Sequence, residues 1–300
     1  MSKKSSPNIA ILFFNLKHLV DVALNEYLPP TDKYPEVIHQ AMKYSVLDGG
    51  KRLRPILALA SCEAVGGDSR VAIPTACAIE FVHAFSLVHD DLPALDNDDL
   101  RRGKPTNHKV FGEAIAILTG DALLTLAFET ILGQTKGVSA EVVVEVTRRV
   151  ASATGVGGMI TGQVVDILSE GKKIDAETLN FMHRNKTGAL IAVSCVCGAL
   201  LGGGTPAQIE ALSLYGQKIG LAFQIADDIL DIEGEEERIG KPVGSDLQKN
   251  KSTYPSIFGL ERSKELARHA VDEAIEALSD FDDSADPLRE IAQFIIEREA

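Results

Sequence analysis

Apolar residues recur three and four positions apart along most of this chain, the spacing that lays one apolar stripe along an α-helix. The pattern predicts helices over 9–27, 37–47, 53–65, 71–89, 114–132, 140–154, 159–169, 178–184, 188–201, 206–232, 263–278 and 285–298. Strand-like alternation is scarce. The β-branched run EVVVEV at 141–146 sits inside a longer helical period and is read as helix. Glycines at 49–50, 66–67 and 202–204 look like helix ends. Two long polar connections interrupt the pattern, 92–112 and 233–256. Such loops in a compact fold are uncommon and often functional. No solenoid period or low-complexity linker is visible, so the expectation is an all-α, single-domain helical bundle over 1–300.

Composition narrows the function classes. The chain is 45% hydrophobic with no Trp and carries a net charge of −13, a globular profile whose mean field repels nucleic acid and anionic membrane. The apolar run 9–14 is too short for a signal segment, and no uninterrupted apolar run reaches bilayer length, so a cytoplasmic location is expected. Cys62, Cys77, Cys195 and Cys197 lie in apolar helical surroundings without zinc spacing, and are read as reduced structural thiols.

Two acidic clusters carry the chemistry. In HDDLPALDNDD, at 89–99, five aspartates crowd one short stretch. On a straight helix Asp90 and Asp96 would diverge by about 120°. Pro93 argues against a straight helix, and a helix ending there can fold Asp96 back toward Asp90. A solvated acidic loop is the plainer alternative. In QIADDILD, at 224–231, the residues Gln224, Asp227, Asp228 and Asp231 share one helical face amid Phe223, Ile225, Ile229 and Leu230. Those carboxylates repel one another unless a cation, or an ion pair to another helix, neutralises them. Carboxylate oxygens suit Mg²⁺, which takes one or two of them per ion and fills its shell with water and substrate phosphate.

Basic residues are placed to receive phosphate. GGKRLRP puts Lys51, Arg52 and Arg54 at a Gly-to-helix junction. Arg101, Arg102 and Lys104 follow the first acidic stretch; Lys186–Thr187, Lys241 and Lys251 come later. His83 lies on the stripe that ends at Asp90, either a satisfied core residue or a phosphate contact. No P-loop, nucleophilic triad or dinucleotide fingerprint is present.

The motifs GGKRLRP, DDLPALDNDDLRRGKPTNH, KTG, QIADDILD and GKPVGSDLQKNKSTYP stand here in one order. In this the chain resembles the trans-prenyl diphosphate synthases (polyprenyl synthetases), above all bacterial farnesyl and plant-type geranylgeranyl diphosphate synthases. The resemblance runs from about Tyr44 to Tyr254. It implies an all-α bundle of the isoprenoid synthase type around a deep cavity, usually a homodimer, with the aspartate motifs facing one another at its mouth. It further implies three Mg²⁺ ions, held by Asp90, Asp91 and Asp96 and by Asp227, Asp228 and Asp231. Lys51, Arg54, His83 and Arg102 resemble contacts to isopentenyl diphosphate. Arg101, Lys186, Thr187, Gln224, Lys241 and Lys251 resemble contacts to the allylic diphosphate. Of these, Asp90, Asp91, Asp96, Asp227, Asp228, Lys186 and Arg101 would be catalytic.

In this family, bulk below the first aspartates limits chain growth. Phe85, with Ser86 beside it, lies roughly 7.5 Å down the helix from Asp90. The aromatic resembles farnesyl-making enzymes, whereas NDDLRRGKPTNHKVFGE looks plant-type. The expectation is farnesyl diphosphate, with geranylgeranyl diphosphate as the alternative. A non-catalytic regulatory subunit would usually lack one aspartate motif, and a terpene cyclase would lack the anion sites for a second diphosphate. The segment 233–256 is expected to close over the site.

Overall fold

The three-and-four spacing is realised as α-helix almost throughout. The structure is a computed structural model that describes residues 9–233 and 252–297. Its elements are α1 (Ile9–Tyr27), α2 (Glu36–Val46), α3 (Leu53–Ala64), α4 (Ile73–Asp90), a hairpin of β1 (Leu100–Arg101) and β2 (Lys104–Pro105), α5 (Asn107–Phe111) and α6 (Glu113–Gln134). There follow α7 (Ala140–Thr154), α8 (Met159–Ser169), α9 (Ala176–His183), a π-helical turn (Arg184–Gly188), α10 (Ala189–Leu201) and α11 (Pro206–Glu233). Beyond the undescribed segment come α12 (Tyr254–Phe258), α13 (Leu260–Glu276) and α14 (Asp286–Glu297). The all-α expectation holds, and EVVVEV lies inside α7. Hydrophobic periodicity missed the hairpin, α5 and α12, because each is too short to show a period and is fixed by turn and cap chemistry instead. Thr253 and Ser256, for example, form a reciprocal capping box at the start of α12.

Contacts group the chain into two compact units, Met1–Thr147 with Cys197–Gly203 and Arg148–Val196 with Gly204–Ala300. In the first, α4 packs against α3 and α6. Its core holds Leu24, Ile56, Leu57, Leu59, Ile79, Phe81, Leu123 and Ile131, all fully buried. In the second, α11 packs against α13, α14 and the π-helical turn, around Leu179, Leu190, Ile191, Tyr215 and Ile225. The Tyr215 hydroxyl donates to the Leu288 carbonyl at 2.7 Å, so its burial leaves no polar group unmatched.

Two stretches of the first unit, Ser69–Asp90 and Glu113–Gln134, are long and apolar enough to cross a membrane by length and composition. The former is mostly buried, as a core helix is. The latter turns Ile117, Leu118 and Leu132 outward. Sequence reading passed over both because acidic residues interrupt them, Glu80 in one and Asp121 in the other. All four cysteines are buried free thiols. Burial pushes Cys62 up to about 12 and raises Cys77 as well, which keeps both protonated and unreactive.

Candidate active site

The first acidic stretch is a turn closed on the end of a helix. α4 stops at Asp90, just before Pro93. The Asp96 N–H then donates to the Asp90 carbonyl at 2.9 Å, and Asn97 and Leu95 donate to the Leu92 carbonyl. Asn97 takes a left-handed conformation, which its short amide side chain tolerates. Asp90 and Asp96 are thereby neighbours along the backbone, as the proline-break argument expects.

The hairpin that follows delivers two arginines. Arg102 and Gly103 both have positive φ, 53° and 78°, the requirement of a tight two-residue hairpin turn. Arg101 grips Asp91, Nε to both carboxylate oxygens at 2.8 and 3.0 Å and Nη2 to Oδ1 at 2.5 Å. Asp91 is buried, and that burial lifts its carboxyl above the ordinary carboxylate range against the pull of the guanidinium. Arg102 donates to the Gly49 carbonyl at 2.7 Å. Gly50 lets it in, since a Cβ there would stand 2.9 Å from both terminal nitrogens.

Within GGKRLRP the three basic residues separate. Arg52 turns inward, 4% exposed, and is held by Glu80 at 2.7 Å, Asp21 at 2.8 Å and the Val46 carbonyl. It is a structural ion pair rather than an anion receptor. Lys51 is exposed and Arg54 half-buried at the start of α3. His83 sits among charges. Desolvation, then Arg54, Arg102, Arg101 and Arg52, hold its imidazole well below 6.5, so it is neutral at pH 7. Arg54, His83, Arg101 and Arg102 therefore form one basic cluster in the first unit. Phe85 is buried below Asp90, edge-on to His89 with ring centroids 5.0 Å apart. His89 is itself tied to the Ile117 carbonyl at 3.0 Å. Ser86 donates to the His83 carbonyl.

The second acidic set lies on regular helix, with Asp227 and Asp231 half-buried on α11. Asp228 is buried and accepts from Gln224 Nε2 at 3.0 Å and from the Tyr254 N–H at 2.9 Å. Gln224 Oε1 accepts from the Thr187 hydroxyl at 3.0 Å. Lys186 pairs with Asp166 at 2.5 Å. Asp166, Lys186, Thr187, Gln224 and Asp228 line one open cleft of about 120 Å³, together with His183, Met182 and Thr253. Lys186 and Thr187 reach it from the π-helical turn, a widened turn that re-aims side chains and recurs at functional sites. Gly162 of α8 makes room for that turn, because a Cβ there would lie 2.1 Å from the Lys186 nitrogen. His183 is buried and stacked on Tyr254, and burial drives its pKa down to about 3. The Tyr254 hydroxyl bonds to Asn180.

Lys241, Lys251 and most of the segment 233–256 lie outside the described residues. Sequence reasoning missed Asp166, His183 and Tyr254. The one available signal was Asp166 itself, a lone carboxylate inside the apolar run of α8.

Among the described residues, no group of three or more His, Cys, Asp or Glu side chains is spaced to hold a metal ion by itself. The donor chemistry nonetheless fits magnesium that takes only one or two protein carboxylates and completes its shell with water and phosphate. Asp90 and Asp96 offer one such set, and Asp227 and Asp231 the other. Asp91 and Asp228 have both oxygens engaged by protein donors.

The Polyprenyl synthetase family profile matches residues 35–293. The chain is 49% identical over 292 residues to a geranylgeranyl diphosphate synthase of Cyanophora paradoxa, covering 97% of each. It is 51% identical over 280 residues to a dimethylallyltranstransferase of Fischerella ambigua, covering 93% of this chain and 80% of that one. Several plant relatives of similar identity also bear the geranylgeranyl name. Among solved structures, an FPP/GFPP synthase from Zymomonas mobilis superposes with a TM-score of 0.86 at 37% identity, over 96% of this chain and 99% of that one.

Proposed function

Since the chain belongs to the polyprenyl synthetase family and is a trans-prenyl diphosphate synthase, we propose that it extends an allylic diphosphate with isopentenyl diphosphate, head to tail, as far as the twenty-carbon geranylgeranyl diphosphate. In each cycle the allylic carbon–oxygen bond breaks, the isopentenyl double bond forms the new carbon–carbon bond, and a proton leaves with the released diphosphate. The single observation that supports this most is the pairing of chemistries within each unit. A neutral histidine stands among arginines, of which Arg101 feels the charge of Asp90, and a lysine–threonine–glutamine cleft is lined by Asp228.

Asp90 and Asp96, and Asp227 with Asp231, would hold magnesium, which when bound acts as a Lewis acid on the leaving diphosphate. Arg54, Arg102 and neutral His83, with Lys51 at the rim, bind the isopentenyl diphosphate. The arginines carry the charge while His83 contributes hydrogen bonds without adding to their mutual repulsion. Lys186, restrained by Asp166, stabilises the growing negative charge on the allylic diphosphate. Arg101 holds Asp91 and fixes the turn that presents Asp90 and Asp96. Exposed Ile117, Leu118 and Leu132 on α6 support a second copy of the chain as partner, and light scattering of the pure protein tests it.

Product length rests on the relatives of about half identity that bear the geranylgeranyl name. Phe85 supports a second reading. Buried and edge-on to His89, it is an aromatic five residues before Asp90, of the kind expected to stop growth at fifteen carbons. The test is incubation with isopentenyl and geranyl diphosphates and Mg²⁺, then chromatography of the dephosphorylated alcohols. A dominant C20 alcohol supports the first reading and a C15 alcohol the second. Under the second, Phe85→Ala lengthens the product. Absence of any elongated alcohol would overturn both.

A further inference from the structure

Arg52 occupies a backbone position that suits glycine. Its φ and ψ are 52° and 34°, in the left-handed region, and it begins α3 without a side-chain cap. An arginine at such a place is kept for its side chain. All three guanidinium nitrogens are used inward. Nε donates to Asp21 Oδ1 at 2.8 Å, Nη1 to Glu80 Oε1 at 2.7 Å and Nη2 to the Val46 carbonyl at 2.7 Å. The Arg52 carbonyl accepts the Ile56 N–H at 3.0 Å. One residue thus ties α1, the last residue of α2, the start of α3 and α4 to a single turn.

Stability alone does not account for this. A buried ion pair offsets its own desolvation poorly, and apolar residues of similar volume commonly serve a core as well or better. What a planar fork with three fixed partners supplies is geometry. The geometry in question is that of the basic cluster. Lys51 and Arg54 lie on either side of Arg52 in the sequence, and of residues 51–54 only Arg52 is buried. Glu80 stands about one helical turn before His83 on α4. Arg102 lies over Gly50 with Nη1 on the Gly49 carbonyl. Its guanidinium feels the charges of both Glu80 and Arg52, so the buried network and the basic cluster are neighbours in space.

We propose that Arg52 is a positioning residue for the isopentenyl diphosphate site, held by Glu80 and Asp21 so that the turn at 49–52 sets Lys51, Arg54 and Arg102 around one diphosphate. The proposal rests on the prenyl-transfer reading given above and deepens it. Affinity for the isopentenyl substrate is set from behind the site, by carboxylates of α1 and α4 that are not themselves assigned to the substrate.

Arg52→Lys keeps the charge, but one ammonium on a flexible stem cannot span the three partners. It should raise KM for isopentenyl diphosphate about 10–100-fold, with KM for the allylic diphosphate and kcat within about threefold of the unaltered protein. Asp21 is half-buried on α1, where truncation is well tolerated. Asp21→Ala removes one of the three partners and should raise the same KM about three- to tenfold. A packing role predicts something else, a lower urea midpoint with KM unchanged in the protein that stays folded. The double variant Arg52→Met with Glu80→Leu separates the two roles. It fills the interior without buried charge and should be no less stable than Arg52→Lys, while its KM for isopentenyl diphosphate stays raised by about tenfold or more. Recovery of KM in the double variant would overturn the proposal, and so would a KM within about twofold of the unaltered protein in Asp21→Ala.

Calorimetric titration of isopentenyl diphosphate into metal-free protein reads the same site without turnover. The Kd should weaken in Asp21→Ala by the factor seen in KM. Binding without any elongation would sink the function proposed above and leave Arg52 to be decided by the Kd ratio. Elongation with equal Kd in Asp21→Ala and the unaltered protein would sink the role of Arg52 alone.

Discussion

The two acidic segments differ in how they meet the cost of crowding carboxylates. In the first, the helix is stopped by proline and the aspartates are spread around a turn, with Arg101 brought over on a hairpin to hold Asp91. In the second, the helix continues, and the repulsion is relieved by burying one member, Asp228, between an amide and a backbone N–H. The lesson is that adjacent aspartates are not equivalent. In each pair the second, Asp91 or Asp228, is buried, while Asp90 and Asp227 are half-buried.

Substitutions sharpen that division. Asp90→Ala and Asp227→Ala should each lower kcat by about 10³-fold. Should either variant keep more than a tenth of the activity, the pairing of roles would break. Asp91→Ala should show up chiefly in stability. It strands a largely buried guanidinium, costing about 3 kcal/mol in urea denaturation. Gly162→Ala probes the second region through its backbone. The added carbon collides with the Lys186 main chain and should destabilise by about 1–3 kcal/mol, with a drop in turnover because Lys186 and Thr187 shift together.

Acid separates the regions less sharply. His83 and His183 both sit below the ordinary 6.5, His183 at about 3. As pH falls below 6.5 the unfolded chain binds protons that the folded rings refuse, so stability declines. The slope is at most about 1.4 kcal/mol per pH unit for each ring, and the His183 share ends near pH 3. Denaturation curves from pH 7 to 4 check this, and His183→Gln should reduce the slope. The smallest effect expected is from Thr253→Ala, about 1 kcal/mol from the lost cap of α12, seen as faster amide exchange across that helix.

Much of the fold could be read along the chain, because a buried helical stripe imposes its period on the sequence. The elements 159–169 and 206–232 match α8 and α11 within a residue. The break after Asp90 was also legible, since proline acts on its own neighbours. The hairpin was not, because it depends on Arg102 adopting a positive φ that only its bond to Gly49 and the space over Gly50 favour. Product length divided in the same way, with Phe85 pointing to one answer and the relatives to another.

What the sequence determined by itself was the residue chemistry and its local spacing, namely helices, a proline stop, two carboxylate sets and the basic motifs. What only the tertiary structure decided was the partner of each charged group. Arg52 went to Glu80, Arg101 to Asp91, Lys186 to Asp166, and Asp228 to the Tyr254 N–H. Helical period is written over a few neighbouring residues. A buried charge is matched by whatever donor packing brings to it, across 10 to 28 positions of chain in these cases, and no local pattern records that.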